Sequence, residues 1–521
     1  MSLAESFKRS AAPEIARPGI RVVYAALTGG MSLAIILTFA GGVTVWTPAA
    51  VIALPLVALT AFWISGGAAT ALLGVALPDA ERTVVPETWT PAGRTAILVT
   101  LCGEAPGPLA RHLIALCAGL HRAGLGAKTQ VLVLSDTAGA AAVADEEGEF
   151  GQLDADGTLT YRRRARNTGR KPGNIADWLA DHGDGFDYMM VLDADSRMTA
   201  GRIRRMIWQI ERRPALGLLQ AGIALVPGTT RFGRYQRVTA RLLSHNFGRG
   251  FAVWTLDSGN YWGHNAIMRV AAFREAATLP ILPGRAPFGG DLLSHDFIEA
   301  AWIRRAGWSI ALDPDPAGSA ESAPQTLAAF HARDRRWCQG NLQHLRLIAE
   351  PCLDPISRVH LASGILSYLV APLWLILVGL IATGAVPVTG GVPLAVVAAV
   401  LFLPKACALA AWLGRARTSR RRAVGLRAWA GELALSSVIA PLFMLRQAGA
   451  VGSICLGRDC GWKSGRTGRR AVPAGLPEAV AGVLLLAVSA LAAGPAAIWL
   501  APVALPLCAA PLIVRALDAP V

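Results

Sequence analysis

Tyr188-Met189-Met190-Val191-Leu192-Asp193-Ala194-Asp195 joins a short apolar run to a pair of acids. Five apolar residues ending in a polar break match a buried strand of a parallel sheet, too short for a helix. Residues two apart on an extended chain point the same way, so Asp193 and Asp195 can face one divalent cation at the strand's C-terminal edge. That edge is where open α/β sheets bind ligands. The pair therefore indicates metal-bridged phosphate chemistry, with phosphatases, kinases and transferases all still open.

The same alternation extends on both sides, from Thr95 to about Ala349. Apolar runs at 95–101, 130–134, 188–192 and 216–220 read as strands. Leu109, Leu113, Leu116 and Leu120, and later Ile203, Ile207 and Ile210, fall at helical spacing between them. Alternating strands and helices predict one mostly parallel, Rossmann-like domain over 90–350. Asp136 ends the second strand and is the natural companion of Asp193. Acids gathered at one edge repel one another unless a cation joins them. The loop between carries Arg162, Arg163, Arg164, Arg166, Arg170 and Lys171, a basic set that can face a diphosphate or simply meet solvent. Phosphatases of the haloacid dehalogenase type also place Asp-x-Asp after a strand. They expect Thr or Val two residues beyond the second acid, where this chain has Arg197.

Outside this domain the chain is apolar. Residues 22–75 hold two nearly uncharged runs, each long enough at 1.5 Å per residue to cross a ~30 Å hydrocarbon core. No Lys or Arg lies between them, whereas Lys8, Arg9, Arg17 and Arg21 precede the first, so both outer ends are expected in the cytoplasm. Two further spans are expected in 355–415 and two in 475–515. The stretch 416–456 is expected to be basic and interfacial: the break at Ala440-Pro441 with Arg446 suits a helix in the interface, or a shallow hairpin, better than one span. The count is six spans with both termini inside, leaving residues 1–21 and the basic segment 457–472 in the cytoplasm. Lys405 interrupts an apolar run, where it either snorkels or faces a polar path.

A hydrophobic share of 53 % with 16 % charged residues excludes a purely soluble enzyme. The net charge of +15 sits largely beside apolar spans, which favours anionic lipid over nucleic acid as its counterpart. Cys102, Cys117 and Cys338 have no zinc-like spacing, and the eight cysteines read as free thiols of a reducing compartment. Residues before Arg17 lack the apolar core of a cleaved signal, so the first span is expected to be an anchor.

Three strings further along decide between the enzyme classes. Tyr261-Trp262-Gly263-His264-Asn265-Ala266, Leu293-Ser294-His295-Asp296-Phe297 and Arg333-Asp334-Arg335-Arg336-Trp337-Cys338-Gln339-Gly340-Asn341 follow the acids in that order. Single Asp, Asp-x-Asp, x-x-Asp and Arg-Trp resemble the processive inverting glycosyltransferases of family 2, the cellulose and hyaluronan synthase type. The full strings resemble more closely the glucans biosynthesis glucosyltransferase H family, makers of osmoregulated periplasmic glucans. Two departures from the broader pattern, His295 for the glutamate of Thr-Glu-Asp and Arg333 for the first glutamine of Gln-x-x-Arg-Trp, agree with that subfamily.

The resemblance implies an α-helical membrane protein with an inserted cytosolic α/β domain of the glycosyltransferase-A fold. It implies Asp136, Lys171, Asp193 and Arg336 on a UDP-sugar, and Asp195 on Mg²⁺ or Mn²⁺. Asp296 would be the general base, and Trp337, with Trp262, His264 and Asn265, would line the acceptor site. A structural turn is the competing reading of His264 and Asn265. Trp462 and Lys463 sit where cellulose synthase has a gating loop; an anionic-lipid contact explains them equally well. The expected activity is a UDP-glucose-dependent hexosyltransferase of the bacterial inner membrane that polymerises a β-glucan, with a β-1,2 backbone, and translocates it. Its partners would be the growing glucan chain and the bilayer, with acyl carrier protein and a periplasmic glucan-processing protein as family candidates, and no nucleic acid. Single addition to a lipid acceptor is the alternative, and a transporter with a degenerate nucleotide domain stands third.

Overall fold

The computed structural model describes residues 19–77, 83–276, 278–461, 474–492, 498 and 500–521. Helices α1 (Ile20–Gly42) and α2 (Pro48–Ala76) open the chain. The Thr47 hydroxyl caps α2 by accepting from the Ala50 N–H at 3.1 Å, and Pro48 begins the helix where a missing N–H is harmless.

The α/β domain follows. It runs through β1 (Thr95–Leu101), α3 (Pro106–Arg122), β2 (Thr129–Ser135), α4 (Ala140–Ala155), β3 (Thr160–Arg163), α5 (Arg170–His182) and β4 (Tyr188–Asp193). It continues through β5 (Arg197–Met198), α6 (Ala200–Glu211), β6 (Leu216–Ala221), β7 (Ala224–Leu225), α7 (Arg231–Thr255), β8 (Ala266–Arg269) and α8 (Val270–Ala276). It ends with α9 (Asp296–Arg305), β9 (Ser309–Asp313), β10 (Ser319–Glu321) and α10 (Leu327–Gln343). The main sheet has the order β3-β2-β1-β4-β8-β6-β9, and β5-β10-β7 form a small second sheet. Only β8 runs antiparallel in the main sheet, against β4 and β6. Leu109, Leu113, Leu116, Leu120, Ile203, Ile207 and Ile210 cover one face, and Ile175, Trp178, Ile298 and Ile303 the other. That two-sided burial is why the strands are apolar throughout.

The chain order reverses about β1, which pairs with β2 on one side and β4 on the other. Register pairs Leu101 with Ser135 and Thr100 with Asp193, so Asp136 and Asp193 emerge at one sheet edge, beside the switch point where such sheets bind ligands.

The apolar part is α11 (Pro355–Ala382), α12 (Val392–Arg415), α13 (Ser419–Cys455), α14 (Leu476–Ala492), α15 (Ala501–Cys508) and α16 (Ala510–Asp518). Among the described residues α1, α2, α11, α12 and α13 are long and apolar enough to cross a membrane. Of the two arrangements expected for the stretch around Pro441, an interfacial helix or a shallow hairpin, the second is excluded. No hairpin forms at 430–456: α13 is one helix of 37 residues with Pro441 inside it, tolerated because packed neighbours offset the lost hydrogen bond. Its ends both meet the α/β domain, through Arg415 to His245 before it and through Asp459 and Cys460 to Gln339 after it. The last apolar stretch is a bent pair of helices. α15 and α16 meet at 64°, where Pro511 in the first turn of α16 cannot continue the preceding helix.

Lys405 neither snorkels nor lines a path. Its ammonium lies 2.7 Å from both oxygens of the buried Glu432 and 2.8 Å from Ser436 Oγ, joining α12 to α13. At the crossing of α2 and α7, a Cβ on Gly250 would sit 1.8 Å from the Thr70 carbonyl and one on Gly74 2.0 Å from that of Asn246, so only glycine permits this approach. The chain end returns to the α/β domain, where Asp518 accepts from the Leu327 N–H at 2.8 Å.

Candidate functional site

Asp136 follows β2, with its N–H bound to the Leu101 carbonyl at 2.8 Å. The Arg164 guanidinium holds both its carboxylate oxygens, at 2.8 and 2.9 Å, and the same side chain reaches Asp177 at 2.8 Å. Both members of the Asp136–Arg164 pair are buried, so the forked contact fixes the carboxylate at the sheet edge.

Lys171, in the first turn of α5, donates to Asp193 Oδ1 and to the Gly263 carbonyl, the latter at 2.8 Å. Thr100, the register partner of Asp193, donates to the same oxygen at 3.3 Å. Desolvation in the cleft raises the Asp193 carboxyl, but Lys171 and His264 outweigh it and bring it down to about 2. Asp195 differs. Burial raises its carboxyl, and the neighbouring Asp193 and Glu321 carboxylates raise it further. Two acids two residues apart are thus held in different electrostatic environments, one neutralised and one short of positive charge.

His264 stands between the two sheets. Its Nε2 lies 3.1 Å from Glu321 Oε2 on β10 and its Nδ1 3.4 Å from Ser196 Oγ. Burial lowers it, yet the Asp193 and Glu321 carboxylates prevail and lift it to about 9, so the imidazolium is the resident cation beside the acids.

Gly263 separates the donor acids from Asp296. Its φ of +87° suits glycine, and a Cβ there would lie 3.7 Å from the Asp296 carboxylate. Asp296 begins α9. Burial raises its carboxyl, the His295 charge opposes this and Glu299 adds to it. His295, the residue that precedes α9, stands 3.0 Å from Glu299 in its first turn. On α10, Trp337 is 47 % exposed although Arg333 stacks over its ring at 4.6 Å.

Asp136, Lys171, Asp193, Asp195, Trp262, His264, Asp296, Arg336 and Trp337 all line one cavity of about 1980 Å³. The cavity continues between the apolar helices, past Phe62 and Trp63 of α2, Ser363 and Ser367 of α11 and Leu401 of α12. Asn265 is the exception among the expected acceptor residues. It does not line the cavity: it is buried at φ +51°, with Nδ2 bound to Ser319 Oγ at 3.0 Å, because the chain turns there into β8. Trp462 and Lys463 lie outside the described residues.

Three partners were not legible in the sequence. Arg164 is one of six basic residues in its loop, with nothing in its spacing to single it out. Glu321 lies 128 residues beyond Asp193 with no motif around it. Arg333 is visible as a departure from Gln-x-x-Arg-Trp, but its stacking on Trp337 follows from the four-residue helical spacing only once α10 is known.

Residues 188–447 match the family model described as "Glycosyl transferase family group 2". The chain is 40 % identical over 442 residues to a glucans biosynthesis glucosyltransferase H of Rhodopseudomonas palustris (strain ATCC BAA-98 / CGA009), which covers 78 % of this chain and 61 % of that protein. Against the protein of the same name from Rhodopseudomonas palustris (strain BisA53), identity is 38 % over 501 residues, 89 % of this chain and 70 % of the relative. The chain thus spans 61 to 70 % of the length of such relatives. Among solved structures, the mannosyltransferase PcManGT from Pyrobaculum calidifontis in complex with GDP-Man and Mn²⁺ is similar over 84 % of this chain and 100 % of that one, at 15 % identity and a TM-score of 0.44.

Proposed function

Because the chain belongs to the glucans biosynthesis glucosyltransferase H family, we propose that it is a membrane-embedded inverting glucosyltransferase that polymerises glucose from UDP-glucose into a β-glucan and passes the product between its own helices. The observation that carries this is the single cavity on which Asp136, Asp193, Asp195, Asp296 and Trp337 open and which runs on among the apolar helices. The α/β domain and both ends of the bundle would face the cytoplasm of a bacterial inner membrane. The β-1,2 linkage follows from the family.

Asp136, held by Arg164, would receive the uridine, and Lys171 with Asp193 would set the position of the ribose and diphosphate. Asp195 fits a divalent cation brought with the diphosphate: its carboxyl is destabilised by Asp193 and Glu321, and a cation would relieve that repulsion. Among the described residues no three His, Cys, Asp or Glu side chains are gathered to hold a metal alone, so the diphosphate would complete its shell. When bound, Mg²⁺ or Mn²⁺ would offset the charge that grows on the leaving UDP. His264 and Arg336 would add fixed positive charge on the same side.

Asp296 lies across Gly263 from that group. It would take the proton from the acceptor hydroxyl as the hydroxyl oxygen bonds to the anomeric carbon and the bond to UDP breaks. A carboxyl raised by burial is a better base than an exposed one. Displacement in one step inverts the α-linked donor to a β-linked product. Trp337 would offer a flat apolar face to the terminal sugar, holding it without fixing the chain behind it.

The test is the purified chain in nanodiscs with UDP-glucose and Mg²⁺, followed by linkage analysis of the product. A β-linked glucan is expected. Better use of UDP-galactose or UDP-N-acetylglucosamine would overturn the donor, and a glycolipid carrying one sugar would overturn polymerisation.

A further inference from the structure

Two segments, one of which lends its 243–248 stretch to the cavity wall, are strongly basic and contain no acid at all. α7 carries five arginines over residues 231–255, residues 406–431 carry six, and neither stretch has an Asp or Glu. The two are contiguous in space, since Arg415 at the end of α12 lies 3.0 Å from His245 of α7.

Their exposed faces share an unusual composition. On α7, Arg231, Arg234, Val238 and Arg241 are exposed along one helical stripe, while Phe232, Asn246 and Trp254 are buried on the other side. The start of α13 repeats the pattern, with Arg420, Arg421 and Arg427 exposed around an exposed Val424 and Leu426. Arginine interleaved with bare apolar side chains belongs at the boundary of headgroups and acyl chains, where both find a counterpart. A soluble acidic partner or a nucleic acid would satisfy the charges and leave Val238, Val424 and Leu426 in water.

The position agrees. α7 runs beneath the bundle: its start pairs with the chain end through Arg231 N–H to the Ala519 carbonyl at 3.0 Å, and its far half packs on α2 at Gly74 and Gly250. Arg21, at the start of α1, reaches the Thr255 carbonyl at 2.8 Å. The helix therefore lies along the ends of the apolar helices rather than among them.

We propose that the exposed stripe of α7 and the first turns of α13 form one docking surface for the anionic headgroups of phospholipids in the leaflet on the α/β-domain side. The proposal rests on the reading above only for which leaflet that is. α7 leads through Leu256 and Ser258 into the Trp262–His264 string of the cavity, so headgroups held there steady the support of the site.

The experiment uses the full chain, reconstituted with equal amounts of phosphatidylglycerol and phosphatidylcholine, extracted in mild detergent and analysed by native mass spectrometry for retained lipid. Phosphatidylglycerol should be retained in several-fold excess, and the excess should fall as salt is raised. Changing Arg231, Arg234 and Arg241 to Gln, or Arg420, Arg421 and Arg427 to Gln, should each reduce the excess, and the combined variant should remove it. Changing the exposed Arg111 and Arg122 of α3 to Gln should leave it intact. Melting of each variant in neutral lipid at the wild-type temperature shows that folding is unharmed. Equal retention of the two lipids, full retention by the combined variant, or displacement of the phosphatidylglycerol by soluble polyglutamate would overturn the proposal. None of these readouts requires sugar transfer, so failure here and failure of the proposed activity are distinguishable.

Discussion

The guanidinium of Arg333 lies over the ring of Trp337, 4.6 Å from its centroid. One face of the indole is thereby covered and its plane fixed, leaving the other face for a sugar. Such a contact is worth ~0.5–1 kcal/mol at exposed sites, so Arg333→Gln should weaken acceptor holding by about 2- to 5-fold. Product size by gel filtration at fixed donor consumption is the measurement. An unchanged length distribution would show that the ring needs no clamp.

Asp296→Asn should lower sugar transfer by about 10²- to 10⁴-fold, the range for losing a general base, while UDP-glucose binding by calorimetry persists. Because burial raises the Asp296 carboxyl, its base form is lost on acidification earlier than for an ordinary Asp near pH ~3.9. The acid limb of the rate profile should lie above that value and vanish in the variant. A variant that keeps wild-type turnover excludes Asp296 as the base.

His264 makes stability depend on pH in the alkaline direction. Its folded value of about 9 lies above the unfolded value of about 6.5, so its contribution is complete below the lower figure and is lost as pH rises through the higher one. Melting temperature in detergent should fall across that window, and the fall should be smaller in His264→Gln and in Glu321→Gln. Parallel curves for wild type and both variants would refute the pairing with Asp193 and Glu321.

Removal of divalent cation by EDTA should abolish transfer, and Mg²⁺ or Mn²⁺ should restore it. In calorimetry, UDP binding should have a metal-dependent part that Asp195→Asn removes, leaving metal-free binding as in the wild type. Metal-enhanced binding that survives in the variant would assign the cation elsewhere.

Lys405 and Glu432 form a pair in which the Glu432 side chain is 1 % exposed. Removing one partner of such a pair costs ~3–5 kcal/mol, because the other charge stays behind unpaired. Glu432→Ala should therefore lower the melting temperature sharply, and Lys405→Met with Glu432→Leu should recover most of the loss. A double variant as unstable as the single one would show that the pair does more than join α12 to α13.

Much of the site was readable because its acids sit at strand ends. A strand carries its neighbours in register, so an acid after β2 and another at the end of β4 had to share an edge once both strands were parallel to β1. What failed to be readable was local chain direction. Asn265 belongs to the same string as Trp262 and His264, yet a turn at φ +51° sends it into the core. The shallow hairpin, one of the two arrangements expected at Pro441, is absent for a related reason. A proline breaks an isolated helix, but α13 is packed along its length against α10, α11 and α12.

The sequence by itself determined the class of the protein: apolar runs too long for a soluble core, an alternating α/β segment between them, and acids spaced to meet at one sheet edge. These depend on periods of one chain segment, which composition and spacing express directly. Tertiary structure alone decided the partners. Arg164 on Asp136, Glu321 beside His264, Arg333 over Trp337 and Lys405 with Glu432 are pairings across separate elements. Which charge neutralises which is set by distances that exist only after the helices and sheets have packed.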